Sequence, residues 1–124
     1  MTNINYNKKR FRSTNSSLNQ TSDSNTIIYR FRQKKDLVWG NYRGGGIRFG
    51  LLIGKVNDDG SLDMRYQHIK EDDELRIGKC RAVPEQTVSG TLRLKEFWQW
   101  LDDEAVEGVS IMEEIREANY TAGS

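Results

Sequence analysis

The segment Ile47–Lys70, IRFGLLIGKV-NDDG-SLDMRYQHIK, holds two alternating runs around a turn signal. In the first run Ile47, Phe49, Leu51 and Ile53 fall on one face, and Gly50 and Gly54 on the other. In the second, Leu62, Met64, Tyr66 and His68 share a face, opposite Asp63, Arg65 and Gln67. A period of two sustained over this length is a strand pattern. NDDG (57–60) supplies the Asp and Gly that tolerate the positive φ of tight hairpin loops, so the segment predicts a β-hairpin.

The same pattern continues on both sides. Upstream lie TIIYRFRQ (26–33) and LVWGNYR (37–43), the latter closed by Gly44-Gly45-Gly46. Downstream lie LRIGKCRAV (75–83), TLRLKEFWQWL (91–101) and GVSIMEEI (108–115), and NKKRFRS (7–13) supplies a first strand. Pro84 cannot donate to a ladder, so it ends its strand or marks where that strand becomes an edge. Residues 102–119 also fit a helix, with Val106, Val109, Met112 and Ile115 at helical spacing; Gly108 in the middle costs a helix about 1 kcal/mol. Eight strands with short connections predict an all-β, antiparallel up-and-down meander, which closes into a small barrel or leaves two aggregation-prone edges. Closure would bring Arg10 and Arg12 near Glu113 and Glu114. The expected organisation is one barrel domain over 7–115, with a flexible N-terminus (1–6), a mobile polar loop (14–25) and a C-terminal tail (116–124).

Composition narrows the function classes. A chain of 124 residues with 35% apolar and 30% charged residues suits one domain with a small core. Net charge is +1, although residues 1–60 carry about +7 and residues 61–124 about −6. No overall field points to nucleic acid or a membrane, so neither is expected as a partner. One cysteine, Cys80, excludes an internal disulfide, and one histidine excludes a His pair for a catalytic metal. No cofactor is expected. The N-terminus has basic residues without an apolar run after them, and a cytoplasmic monomer or weak homodimer is the default expectation.

Candidate site residues follow from the strand faces. The apolar face of LDMRYQH should point inward, carrying Tyr66 and His68 to the interior or rim; the imidazole is then either a general base or a rim residue satisfied by a neighbour. Glu96 stands between Leu94 and Trp98 on the apolar face of LRLKEFWQW, where a carboxylate is costly unless paired. Arg81 and Lys79 are its candidate partners, in a structural pair or a ligand contact. The aromatic residues Tyr29, Phe31, Trp39, Phe49, Tyr66, Trp98 and Trp100 either fill the core or line a mouth suited to an apolar or planar ligand with a polar end. The expected contacts of a small-molecule ligand are therefore Tyr66, His68, Glu96, Trp98, Trp39 and Arg81.

WGNYRGG (39–45), LLIGKVNDDGSLDMRYQH (51–68), ELRIGKC (74–80), GTLRLKEFWQW (90–100) and GVSIMEE (108–114) together resemble a family of short bacterial proteins often labelled N-acetylglutamate synthase. The resemblance covers most of residues 4–115. It implies an all-β barrel similar to calycins and lipocalins, and its label implies an acetyltransferase acting on glutamate. An acetyl-CoA site of that kind places a Gly-rich turn before a helix N-terminus. Here IRFGLLIG follows Gly44–Gly46 and has the strand pattern. Three functions stand side by side: noncovalent binding of a small ligand, the acetyltransferase, and an interaction module using a sheet edge.

Overall fold

The computed structural model describes residues 4–14, 26–102 and 106–116. Eight antiparallel strands follow one another around a closed barrel: β1 (Arg10–Thr14), β2 (Thr26–Lys34), β3 (Leu37–Gly44), β4 (Ile47–Val56), β5 (Leu62–Lys70), β6 (Leu75–Gln86), β7 (Leu92–Trp100) and β8 (Glu107–Glu114). Each strand pairs with its sequence neighbour, and β8 returns to β1. The 107–114 segment is strand rather than helix, and the barrel takes the closed alternative. Most of the loop expected over 14–25 lies outside the described residues, as does the tail after 116; Thr14 is the last residue of β1.

Closure rests on few contacts. Phe11 stands opposite Glu114 and Arg12 opposite Glu113, and the Ile115 amide donates to the Arg10 carbonyl at 2.8 Å. Glu114 points inward and joins three elements. It accepts from Lys9 Nζ at 3.0 Å and from the Leu92 amide at 2.9 Å, so a single carboxylate ties the entry to β1, the start of β7 and the end of β8. Charge-assisted bonds of this kind are about twice as strong as neutral ones.

The end of the barrel that carries the 57–61 and 87–91 turns is packed solid. Phe11, Phe31, Val38, Leu62, Leu92, Leu94 and Met112 meet there with almost no exposure. Tyr6 lies across this end against Phe31, with ring centroids 6.1 Å apart, and its hydroxyl donates to the Gly60 carbonyl at 2.7 Å. Tyr6 is fully buried here because its aromatic ring covers apolar side chains that would otherwise face water; residues 1–3 of the segment expected to be flexible lie outside the described residues.

Three strands depart from the simplest sequence reading. On β4 the apolar set Phe49, Leu51 and Ile53 points outward, and Gly50, Leu52 and Gly54 point in. On β3, Val38, Gly40 and Tyr42 point inward and Trp39 lies outside. β6 runs through Pro84 to Gln86, paired there with β7 only, since β5 begins opposite Ala82; Pro84 sits where the strand has become an edge.

The glycines explain the inversion. Gly50 stands opposite Tyr42, Gly78 opposite Tyr66 and Gly108 opposite Trp98. A Cβ at each would collide with the ring on the facing strand. The inner wall is narrow, and these three rings each lie across a glycine on the next strand.

Loss of the end plug separates packing from hydrogen bonding. Tyr6→Ala is expected to lower unfolding free energy by about 3 to 5 kcal/mol, and Tyr6→Phe by only about 1 kcal/mol. Urea denaturation followed by tryptophan fluorescence measures both; equal losses would mean that ring packing contributes little.

Candidate functional site

At the opposite end, beside the Gly44–Gly46 turn and the 71–74 turn, the barrel holds a cavity of about 720 Å³. Its floor is set by the packed core and its walls come from alternate residues of the strands. β2 contributes Tyr29, β3 Tyr42, β5 Tyr66 and His68, and β7 Glu96, Trp98 and Trp100. The rings touch in sequence around the wall. Tyr29 stacks on Tyr42 at 5.1 Å, Tyr42 meets Tyr66 edge-on at 6.3 Å, and Tyr66 meets Trp100 at 5.9 Å. Trp98 lies 6.0 Å from Trp100.

Several polar groups on this wall are specifically engaged. Tyr42 Oη and His68 Nδ1 are 2.9 Å apart, and the His68 ring is edge-on to both Tyr42 and Trp100. Trp98 Nε1 donates to Ser110 Oγ at 2.8 Å. Tyr66 Oη makes a longer bond to the Lys79 carbonyl at 3.4 Å. Arg76 lies over the Trp100 ring at 4.3 Å and pairs with Asp102 at 2.9 Å.

Of the six residues expected to meet a ligand, the structure brings four together: Tyr66, His68, Glu96 and Trp98. Trp39 and Arg81 lie elsewhere. Trp39 is on the outer face of β3 and 41% exposed. Arg81 is on the outer face of β6, facing Asp63 at 3.9 Å, with Lys79 on the same side. Both readings assumed that the more apolar or more useful face of a strand turns inward; the wall instead needs the glycine face of β4 and the small-residue face of β6. Tyr42 and Trp100 belong to the wall without having been singled out as contacts. Their signal was the facing glycine, Gly50 for Tyr42, which only register reveals.

Among the described residues, neither Arg81 nor Lys79 reaches Glu96, and no ion pair joins it to a base. It stands opposite Ala82 and Ser110, and Cys80 Sγ donates to Oε2 at 3.4 Å. Burial pushes its carboxyl up from 4.5 to about 7. Burial, reinforced by the Glu96 charge, also pushes the Cys80 thiol well above its ordinary range. His68 moves the other way: burial, with Arg76 and Lys70 nearby, lowers it from 6.5 to about 4. At neutral pH the imidazole is neutral, and one ring nitrogen shares a proton with the Tyr42 hydroxyl.

The Gly44–Gly46 run is a hairpin turn. All three glycines have positive φ, at 105°, 61° and 91°, and β4 starts at Ile47. A glycine-rich cradle at a helix N-terminus is not what this segment forms. Closure pairs the first strand with the last at Phe11–Glu114 and Arg12–Glu113, which shortens the edge that a sheet-edge interaction module would use.

A closed antiparallel meander, solid at one end and hollow and aromatic at the other, is a calycin-type barrel. The chain belongs to the avidin-like family, described as avidin-like protein, whose family model matches residues 4–115. Comparison with curated proteins and with solved structures returned no significant match.

Glu96 and His68 impose opposite pH slopes on stability. Glu96 binds its proton more tightly folded than unfolded, so its contribution is complete below about 4.5 and lost as pH rises through about 7. His68 binds its proton less tightly folded, so its contribution is present above about 6.5 and lost as pH falls towards 4. Each is worth about 3 kcal/mol, and between these limits they oppose each other. Relative to the unmodified protein, Glu96→Gln is expected to lose about 3 kcal/mol of stability between pH 8 and pH 4.5, and His68→Gln to gain a similar amount between pH 7 and pH 4. Chemical denaturation across this range checks both; parallel curves for all three proteins would contradict the burial-driven shifts.

Proposed function

We propose that this protein binds a small organic molecule noncovalently in the open end of its barrel, without chemical turnover. The observation that carries this reading is the cavity of about 720 Å³ walled by five aromatic rings beyond a solid core. Membership of the avidin-like family supports it, since that barrel type suggests capture of a small, biotin-like ligand. Rings pre-packed against one another lose little side-chain entropy when a ligand arrives, which favours affinity. Their flat faces suit a planar or apolar body, and the few polar groups orient one end of it.

The acetyltransferase implied by the resemblance gains no support from the site. Gly44–Gly46 lead into a strand, and Cys80 is buried with its thiol held neutral. A noncovalent role uses every feature of the wall and requires no nucleophile.

Titration of biotin and a panel of small aromatic compounds, followed by tryptophan fluorescence, tests the reading. Saturable quenching is expected with at least one compound. Tyr66→Ala and Trp98→Ala should each weaken it tenfold or more, a loss of about 1.4 kcal/mol or greater. Trp39→Ala and Arg81→Ala, on the outer surface, should leave affinity within about twofold. Equal losses at Trp39 and Trp98, or no saturable binding across the panel, would overturn it.

A further inference from the structure

Glu96 is 6% exposed and lines the cavity. One oxygen accepts a weak thiol donor, the Cys80 Sγ contact at 3.4 Å, and no cationic side chain faces it among the described residues. The groups around it come from every side of the wall: Tyr29 on β2, Tyr42 on β3, Tyr66 on β5 and Cys80 on β6. All are phenols or a thiol whose burial holds them neutral. His68, nearer the mouth, is also neutral at pH 7. Among the described residues, Glu96 is thus the one group deep in the cavity able to carry charge near neutral pH, and that charge is negative.

An ionised carboxylate in an apolar wall is costly until something compensates it. Elsewhere the protein compensates an inward-facing acid: Glu114, half-buried at the solid end, receives Lys9 and a backbone amide. At the cavity the compensating group is left out, and aromatic faces stand where it would sit. Negative ring faces attract cations, more strongly where water is excluded. Each cation that lines the cavity has a carboxylate beside it: Arg76 is paired with Asp102, Lys70 with Glu74 at 3.1 Å and Asp72 at 3.9 Å, and Arg12 stands opposite Glu113 across the seam.

We propose that the cavity selects a small aromatic cation, an amidinium or protonated amine whose charged head pairs with Glu96 and whose ring lies among Tyr29, Tyr42, Tyr66, Trp98 and Trp100. The proposal rests on the cavity being a ligand site and goes further by fixing the charge of the ligand and the residue that reads it. Binding draws the proton off Glu96, so affinity for a permanent cation follows ionisation of that carboxyl.

Calorimetric titration with benzamidine, benzamide and benzoate, which share size and shape but differ in charge, tests the selection. At pH 8, benzamidine is expected to bind at least tenfold more tightly than benzamide, and benzoate not to bind. Between pH 8 and pH 5 the benzamidine affinity should fall about a hundredfold as Glu96 takes up its proton, while that of benzamide changes less than about threefold. Glu96→Gln should abolish the preference for benzamidine, and Glu96→Asp should retain part of it. If Glu96→Gln fails to fold by circular dichroism, the pH series on the unmodified protein and the Asp variant decide the matter. Benzamide or benzoate binding as tightly as benzamidine, or an undiminished preference in Glu96→Gln, overturns the cation proposal. Binding of biotin or a neutral dye without any benzamidine binding overturns it too, and leaves the cavity as a ligand site. An absence of binding by every compound removes both.

Discussion

The return of β8 to β1 is the constraint on which everything else depends. Once that seam closes, every strand has a fixed inner and outer face, and the inner radius limits what can stand there. The seam is short, and Glu114 reinforces it by holding Lys9, the Leu92 amide and its own strand together. Without closure, the outward faces of β3 and β4 would be as eligible for burial as the inward ones, because Trp39, Leu51 and Ile53 are no less apolar than Tyr42 and Leu52.

A narrow barrel cannot hold a large side chain at every inner position. The solution here is pairing: Tyr42, Tyr66 and Trp98 each cross a glycine on the next strand, as Tyr66 crosses Gly78. This gives the two ends different characters. At one end Tyr6, Phe11 and Phe31 interlock and leave no space. At the other, the rings lie flat against glycines, and a cavity remains between them. The same polypeptide rule, strict alternation, thus produces a plug and a pocket.

Glu96 and Glu114 show how one residue type takes on different roles. Glu114 sits among donors and works as a structural staple. Glu96 sits among phenols, indoles and a thiol, and burial raises its proton affinity. Nearby, His68 is shifted in the opposite sense by the same loss of water. Their effects on folding oppose each other over the mildly acidic range, so the site can hold an unpaired carboxylate without making the whole fold steeply sensitive to pH.

The sequence by itself determined the strands, their order and the hairpin turns, because a period of two and residues such as Asp59 and Gly60 are local signals that need no partner to be read. It also marked Tyr66, His68, Glu96 and Trp98 through their place on an apolar face. What only the tertiary structure decided was which face turned inward on β3, β4 and β6, and therefore that Trp39 and Arg81 stand outside while Tyr42 and Trp100 complete the wall. That choice depends on cross-strand register: whether a bulky ring meets a glycine or another bulky side chain is a property of two strands at once. Alternation within one strand does not contain it.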